Sequence, residues 1–185
     1  MRQALIGAAI KRNRPLRCHL MSWIDATQAP TALEAALAHR PELLARYRAF
    51  YGSFWADGLV PRRVLELCRL RVAAIHDCES EWLLRDAEVN LDADEQERLR
   101  AGEVEGFTGP ERAALALAEQ IPYGHHQVTD AQVEVATAAF GEPACVSLLT
   151  ALAFFDVTCR LRLGLDLPAE PGVLDAPPLS NGALA

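Results

Sequence analysis

The sequence predicts an all-α fold, a single domain of about eight helices. Apolar residues recur at helical spacing along most of the chain, and no segment of useful length alternates as a half-buried strand does. Three N-terminal capping boxes each precede such a helical segment. The boxes are Asp92 to Glu95, Thr108 to Glu111 and Thr129 to Gln132. At 185 residues the chain is long enough for one domain with its own core.

Prolines and glycines mark the predicted ends of the first helices. Pro30 and Thr31 open a short first helix. Pro41 opens a longer second helix that closes at Gly58. Pro61 opens the third helix. We therefore expect three helices before the middle of the chain.

The later helices are marked in the same way, with ends at Pro122 and Gly141. The last helix, over about residues 143–163, is apolar nearly all round, which places it at the domain centre or in a subunit interface. Its longest apolar stretch, residues 144–155, is shorter than the roughly 20 residues that a membrane span needs. We expect no membrane association.

The chain divides into three segments. Residues 1–30 have no decisive pattern, residues 31–168 form the predicted helical domain, and residues 169–185 are typical of a loose tail, with the turn-forming triplets EPG, APP and SNG.

Composition excludes several classes of function. A hydrophobic fraction of 51% with a net charge of −7 is typical of an acidic soluble protein, and no basic cluster indicates nucleic-acid binding. Five cysteines without short-spaced repeats do not form a secreted disulfide framework, so we expect a reduced, cytoplasmic protein. No glycine-rich phosphate loop and no metal-ligand spacing are present, so we expect neither a cofactor nor a metal.

The segment from Glu66 to Arg85 carries the candidate catalytic residues. Glu66 stands in an apolar helix, where a buried carboxyl group needs a partner or a chemical role. Asp77 is the predicted N-cap of a new helix, which places Cys78 in a first turn where the helix dipole favours a thiolate. On that helix Cys78, Glu81 and Arg85 share one face.

Each of these residues also has a purely structural interpretation. Glu66 could be an ion-paired helix acid, because Arg62 and Arg69 are both within reach. Cys78 could be a small core residue. Glu81 could form a solvated pair with the arginine four residues later.

The spacing of these residues resembles a family signature. The signature, Glu-x(11)-Cys-x-x-[Cys or Glu]-x-x-x-His, belongs to the carboxymuconolactone decarboxylase and alkylhydroperoxidase D-like family. Flanking blocks agree in order: residues 39–73 before the motif, then GPERAALALAEQI, then the closing helix LLTALAFFDVTCRLRLGLDLP. The resemblance therefore spans residues 31–168. It implies a helical bundle that assembles as a homotrimer or a trimer-based hexamer.

The same resemblance implies a site. Glu66, Cys78 and Glu81 take the catalytic positions, and we expect them to line one cavity. Arg85 stands in place of the family histidine and cannot relay protons as a histidine does. We expect it to bind the substrate. We assign Trp82 and Asp156 to substrate binding as well, although Asp156 could instead pair with the arginine four residues later.

Three functions remain open from the sequence. The first is a cofactor-independent enzyme that acts by acid/base chemistry on a small organic acid, lactone or enolisable carbonyl compound, through decarboxylation or isomerisation. The second is an alkylhydroperoxidase-like thiol peroxidase using Cys78, and the third is a non-catalytic helical oligomer. The peroxidase needs a second thiol, but Glu81 occupies that position of the motif, and we expect Cys68, Cys145 and Cys159 to be inert core residues.

Overall fold

Helix α3 (Arg62–Ile75) forms the centre of the molecule in a computed structural model that describes residues 29–174. Within those residues the chain forms eight α-helices and one two-stranded sheet, which confirms the predicted all-α single-domain bundle. The other helices are α1 (Ala32–Leu37), α2 (Pro41–Ala56), α4 (Glu79–Trp82), α5 (Ala93–Ala101), α6 (Gly109–Gly124), α7 (Asp130–Phe140) and α8 (Glu142–Gly164). The strands are β1 (Leu84–Asp86) and β2 (Gly172–Leu174), and His125–Gln127 forms a 3₁₀ turn. Predictions for residues 1–28 and 175–185 lie outside the described residues.

All three predicted capping boxes are present at the starts of α5, α6 and α7. In the first, the Asp92 carboxylate accepts from the backbone N–H of Glu95, and the Glu95 side chain accepts from the N–H of Asp92. Each cap of this kind contributes about 1 kcal/mol to helix stability. The predicted end at Pro122 is wrong by two residues, because α6 continues to Gly124. So close to a helix end, the missing proline N–H removes only one helical hydrogen bond.

The core forms where α3 packs between α6 and α8. On α3, Leu65, Leu67 and Leu70 are completely buried, and they share one apolar cluster with Leu148 and Leu152 of α8. This placement agrees with the apolar composition of the third helix, since removing leucine side chains from water is the main driving force of folding. A polar side chain at a buried position of α3, such as Glu66, therefore lies in a largely apolar surrounding.

Helix α8 is longer than its apolar stretch and is buried on one side. Its 23 residues continue through Asp156 to Gly164. Val146, Val157 and Leu161 face outward and are exposed. Among the residues that the structure describes, α8 alone has the length and composition to cross a bilayer, a test that core helices of soluble proteins also pass.

The chain turns sharply between α3 and α4. His76 ends α3, Asp77 has a left-handed φ of 50°, and Cys78 is the N-cap residue of α4. The predicted N-cap at Asp77 is wrong by one residue, because a residue in the left-handed conformation closes α3 before the next helix can start. The predicted helix through Arg85 is also wrong. Helix α4 ends after one turn at Trp82, and Arg85 lies in β1.

Two contacts explain why α4 is short. The Arg69 guanidinium binds the carbonyl oxygens of Glu81 and Leu84 at 2.9 and 2.8 Å, and a longer helix would have used these oxygens itself. Strand β1 then pairs in parallel with β2, whose residues Gly172–Leu174 lie in the segment predicted to be a loose tail. Arg85 is therefore turned away from the helix face on which the sequence placed it.

Candidate functional site

Glu66 is completely buried in α3 and is held in an ion pair. Its carboxylate oxygens lie 2.8 Å from Nε and Nη2 of Arg69. Oε1 also accepts a 3.2 Å hydrogen bond from the backbone N–H of Asp86. Arg62, the other arginine within reach in the sequence, binds Asp86 instead, at 2.8 Å. Both oxygens of Glu66 therefore already have strong donors.

Arg69 uses all five of its N–H donors inside the protein. Besides its two bonds to Glu66, it donates to Oε1 of Glu81 at 2.8 Å and to the two carbonyl oxygens at the end of α4. A guanidinium has five N–H groups, so its hydrogen-bonding capacity is filled. Arg69 thus joins α3 to α4 and β1, and a buried cation of this kind is tolerated only when it is paired.

Glu81 completes what we call the ionic network, defined as Glu66, Arg69, Glu81 and Arg162. Arg162 of α8 lies 2.5 Å from the second carboxylate oxygen of Glu81. Burial by itself would raise the pKa of Glu81, but the charges of Arg162 and Arg69 outweigh it and leave the pKa below its usual value. Two cations balance two anions, so the network is neutral. Glu81 does not pair with Arg85, as the sequence had allowed.

Cys78 lies at the N-cap of α4 with its side chain almost completely buried. Its Sγ atom lies 3.6 Å from Oγ of Ser80 and 3.9 Å from the carbonyl oxygen of Cys159. Hydrogen bonds from the Cys159 thiol and from Ser80 lower the pKa of Cys78 to about 7, against the opposing effects of burial and of Glu81. A one-turn helix has little dipole, so these side chains replace the helix effect predicted from the sequence.

Cys159 is the residue that sequence reasoning missed. It is completely buried in α8, as predicted, but its carbonyl oxygen lies 3.9 Å from the Cys78 sulfur, and both residues belong to the same buried cluster. The neighbouring Cys78 and burial raise the pKa of Cys159, which favours the protonated thiol. We call Cys78 and Cys159 the thiol pair. The two residues are 81 positions apart, and no local spacing could have indicated their contact.

The predicted cavity lined by Glu66, Cys78 and Glu81 does not take the expected form. The two carboxylates bind the same guanidinium, and none of the three side chains is more than 2% exposed. An open groove of about 520 Å³ lies elsewhere on the surface. Its lining residues are Trp82, Gln96, Glu97, Arg100 and Ala101.

Two of the predicted substrate-binding residues lie near this groove. Trp82 lines it, with the guanidinium groups of Arg85 and Arg100 at 5.3 and 4.3 Å from its ring centre. Arg85 donates to the carbonyl oxygens of Trp82 and Leu84 and to Oε1 of Gln96. Burial lowers the pKa of Arg85, the neighbouring Arg69 adding to the effect, yet an arginine remains charged.

Asp156 takes part in a separate hydrogen-bonded chain. Its Oδ1 lies 2.6 Å from Nε2 of His76, whose Nδ1 lies 2.8 Å from the hydroxyl of Tyr123. Burial lowers the pKa of His76 despite the opposing bond to Asp156, which favours the neutral ring. The network assigns Nε2–H as the donor to Asp156, and Nδ1 then accepts from Tyr123. Arg160 also pairs with Asp156, at 2.9 Å, as the sequence had allowed.

No protein-family model matches this chain, and no curated protein shows significant sequence similarity to it. Among residues 29–174, no three histidine, cysteine or acidic side chains are grouped as metal ligands. The fold and the site therefore define a class of protein: an all-α helical bundle in which a buried thiol pair lies beside a buried ionic network of two acids and two arginines.

Proposed function

We propose that the protein is a thiol-dependent peroxidase of the alkylhydroperoxidase D-like family that its sequence resembles, with Cys78 as the attacking thiolate. The observation that carries this proposal is the convergence of Ser80 and Cys159 on the Cys78 sulfur, within an apolar cluster. The side chains of Cys159 and Ser80 lower the pKa of Cys78 to about 7, which gives it more thiolate at neutral pH than an ordinary thiol has.

The reaction begins with attack of the Cys78 thiolate on the terminal oxygen of a hydroperoxide. The S–O bond forms as the O–O bond breaks, which oxidises the sulfur to sulfenic acid and reduces the hydroperoxide to an alcohol or to water. The leaving oxygen takes a proton from the solvent. A thiol reductant must later return two electrons to the sulfur.

The burial of Cys78 limits the substrate to small hydroperoxides. Its side chain is about 1% exposed, so the hydroperoxide must enter through transient opening of the surrounding residues. The surrounding elements are α4, which is a single turn, and α8. We therefore propose hydrogen peroxide or a short-chain hydroperoxide as the substrate.

The acid/base alternative has less support from the geometry. A general acid or base needs an oxygen that is free to exchange a proton with the substrate. The oxygens of Glu66 and Glu81 are occupied by arginine donors, and the pKa of Glu81 is lowered, whereas a catalytic acid near neutrality needs a raised pKa. Decarboxylation or isomerisation at this site would require the ionic network to open.

We propose in addition that the chain forms a cytoplasmic homotrimer or hexamer, as the family resemblance implies. The support is the exposed apolar surface on two neighbouring helices, with Leu43 and Phe50 on α2 and Val146, Val157 and Leu161 on α8. Exposed apolar patches of this kind commonly mark protein interfaces. Light scattering at micromolar concentration should give at least three times the 20.2 kDa chain mass, and a monomer would contradict the proposal.

Peroxide consumption tests the proposed function. The purified protein should consume hydrogen peroxide in the presence of dithiothreitol, and Cys78→Ser should abolish this activity. Cys68→Ser is the matched control, because burial raises the pKa of Cys68 and no thiol contacts it among the described residues. Equal activity in the wild type and in Cys78→Ser would reject Cys78 as the peroxidatic thiol, and consumption no faster than with dithiothreitol alone would favour a non-catalytic oligomer.

A further inference from the structure

We infer that Cys159 is the resolving thiol of this chain and closes an intrachain disulfide with Cys78 across α4 and α8. This inference rests on the proposed function, because the disulfide follows oxidation of Cys78. It identifies the second thiol that the Cys-x-x-[Cys or Glu] position lacks in this sequence. The dithiol is thus built from two distant parts of the chain instead of one turn of helix.

Geometry carries the inference. The Cys78 sulfur lies 3.9 Å from the carbonyl oxygen of Cys159, which places it directly against residue 159 of α8. Both side chains lie in the same buried cluster. Cys145 lies 14 residues earlier on the same helix and has no such contact among the described residues.

A disulfide requires the two backbones to come within a narrow range of distances, with Cα atoms about 4.4–6.8 Å apart. Within helix α4, Glu81 is held by Arg69 and Arg162, so the movement falls on the start of the helix. Its N-cap residue is Cys78, which follows the left-handed residue Asp77. A small rotation at this corner would change the position of Cys78 without disturbing α8.

Once Cys78 has been oxidised to sulfenic acid, formation of the disulfide needs no further reagent. The Cys159 sulfur attacks the sulfenic sulfur, the S–S bond forms, and hydroxide leaves with the Cys159 proton as water. A dithiol reductant then returns two electrons and two protons to the pair. Because a nearby thiol traps the sulfenic acid, Cys78 is also protected from oxidation to sulfinic acid.

Peptide mapping of the oxidised protein tests the disulfide directly. Trypsin places Cys78 in peptide 72–85, but Cys145 and Cys159 share peptide 113–160 because no lysine or arginine separates them. The experiment therefore uses the Cys145→Ser protein, treated with one equivalent of hydrogen peroxide and digested without reductant. We expect the two peptides to be joined by one disulfide, with the loss of two free thiols.

The Cys145→Ser and Cys159→Ser variants are then compared with dimedone, which traps sulfenic acid. Cys145→Ser should give little adduct, whereas Cys159→Ser should accumulate the adduct on peptide 72–85. Turnover with dithiothreitol should fall about tenfold or more in Cys159→Ser, because resolution then becomes intermolecular. Circular dichroism checks that the variants are folded. Cys159→Ala removes the same thiol by a second substitution and should give the same results.

The possible results distinguish failure of the proposed peroxidase function from failure of Cys159 as the resolving thiol. A Cys78 that gives neither adduct nor disulfide in any variant rejects the proposed function. A dimedone adduct on Cys78 in the Cys145→Ser protein without a disulfide leaves the peroxide reaction in place and rejects Cys159 as the resolving thiol. A disulfide from Cys78 to Cys18 or Cys68, which lie on peptides of different mass, rejects it as well.

Discussion

Helix α4 contributes one residue to each of two buried polar regions that differ in how their hydrogen-bonding capacity is used. Glu81 belongs to the ionic network, where all five N–H groups of Arg69 donate hydrogen bonds of 2.8–2.9 Å to carboxylate and carbonyl oxygens. Cys78 belongs to the thiol pair, where the sulfur has only weak partners at 3.6 and 3.9 Å. Both regions are closed to solvent.

The comparison teaches that burial of a titratable group does not by itself indicate a reactive site. A buried carboxylate whose oxygens are filled by guanidinium groups stabilises the fold and stays ionised. A buried thiol with a lowered pKa and weak partners keeps its sulfur available to an incoming atom. Glu66, Cys78 and Glu81 therefore differ in how far their polar atoms are already bound, although they lie within 16 residues.

The largest expected effect comes from breaking the ionic network with Arg69→Met. This change leaves Glu66 buried with an unpaired charge and Glu81 with Arg162 as its remaining partner, and we expect a loss of about 3–5 kcal/mol in the free energy of unfolding, measured with urea. The control Arg63→Met removes two partly exposed pairs, with Glu95 and Glu111, and should cost about 1 kcal/mol or less. If both variants lost the same free energy of unfolding, the buried network would be no more important for stability than the surface pairs, which would contradict the comparison.

The pH dependence of Cys78 alkylation is the next largest effect. The thiolate is the nucleophile, so the rate should rise with pH, about tenfold per unit at low pH, and level off above about 7, against 9.0 for an ordinary thiol. Mass spectrometry of peptide 72–85 after iodoacetamide treatment measures this rate. Cys68, whose pKa is raised by burial, should not react below pH 9. A midpoint for Cys78 near 9 would show that its neighbours do not stabilise the thiolate.

Ser80→Ala should have a smaller effect on the same measurement. Loss of the Ser80 hydrogen bond moves the pKa of Cys78 upward, and a bond worth about 1 kcal/mol corresponds to roughly a threefold lower rate at pH 7. Ser53→Ala is the matched control, because Ser53 donates to the carbonyl oxygen of Phe50 on α2 and does not contact Cys78. An unchanged pH midpoint in Ser80→Ala would leave Cys159 as the main cause of the lowered pKa.

The smallest expected effect concerns a hydroxyl that has no role in either region. The buried Tyr51 hydroxyl has no hydrogen-bond partner among the described residues, so Tyr51→Phe should leave stability unchanged or raise it by up to about 1 kcal/mol. Tyr123→Phe removes the bond to His76 and should lower stability by about 1 kcal/mol. Thermal unfolding of the two variants compares them, and a destabilised Tyr51→Phe would reveal a partner for that hydroxyl.

Part of the candidate site could be predicted from the sequence. Glu66 and Arg69 lie three residues apart on one helix, so their ion pair was among the alternatives that local spacing offers. The pair of Asp156 with Arg160 followed from the same rule. The contacts of His76 with Asp156 and Tyr123 could not be predicted by this rule, since they join residues 80 and 47 positions apart.

The sequence by itself determined where the helices start and which of their residues enter the core. Capping boxes, prolines and apolar periodicity act within one or two turns, so the residues that decide them are neighbours in the chain. Only the tertiary structure decided that Arg69 ends α4 and that Cys159 meets Cys78. Both contacts depend on how α3, α4 and α8 pack, and that packing results from the burial of many side chains at once, which no short spacing encodes.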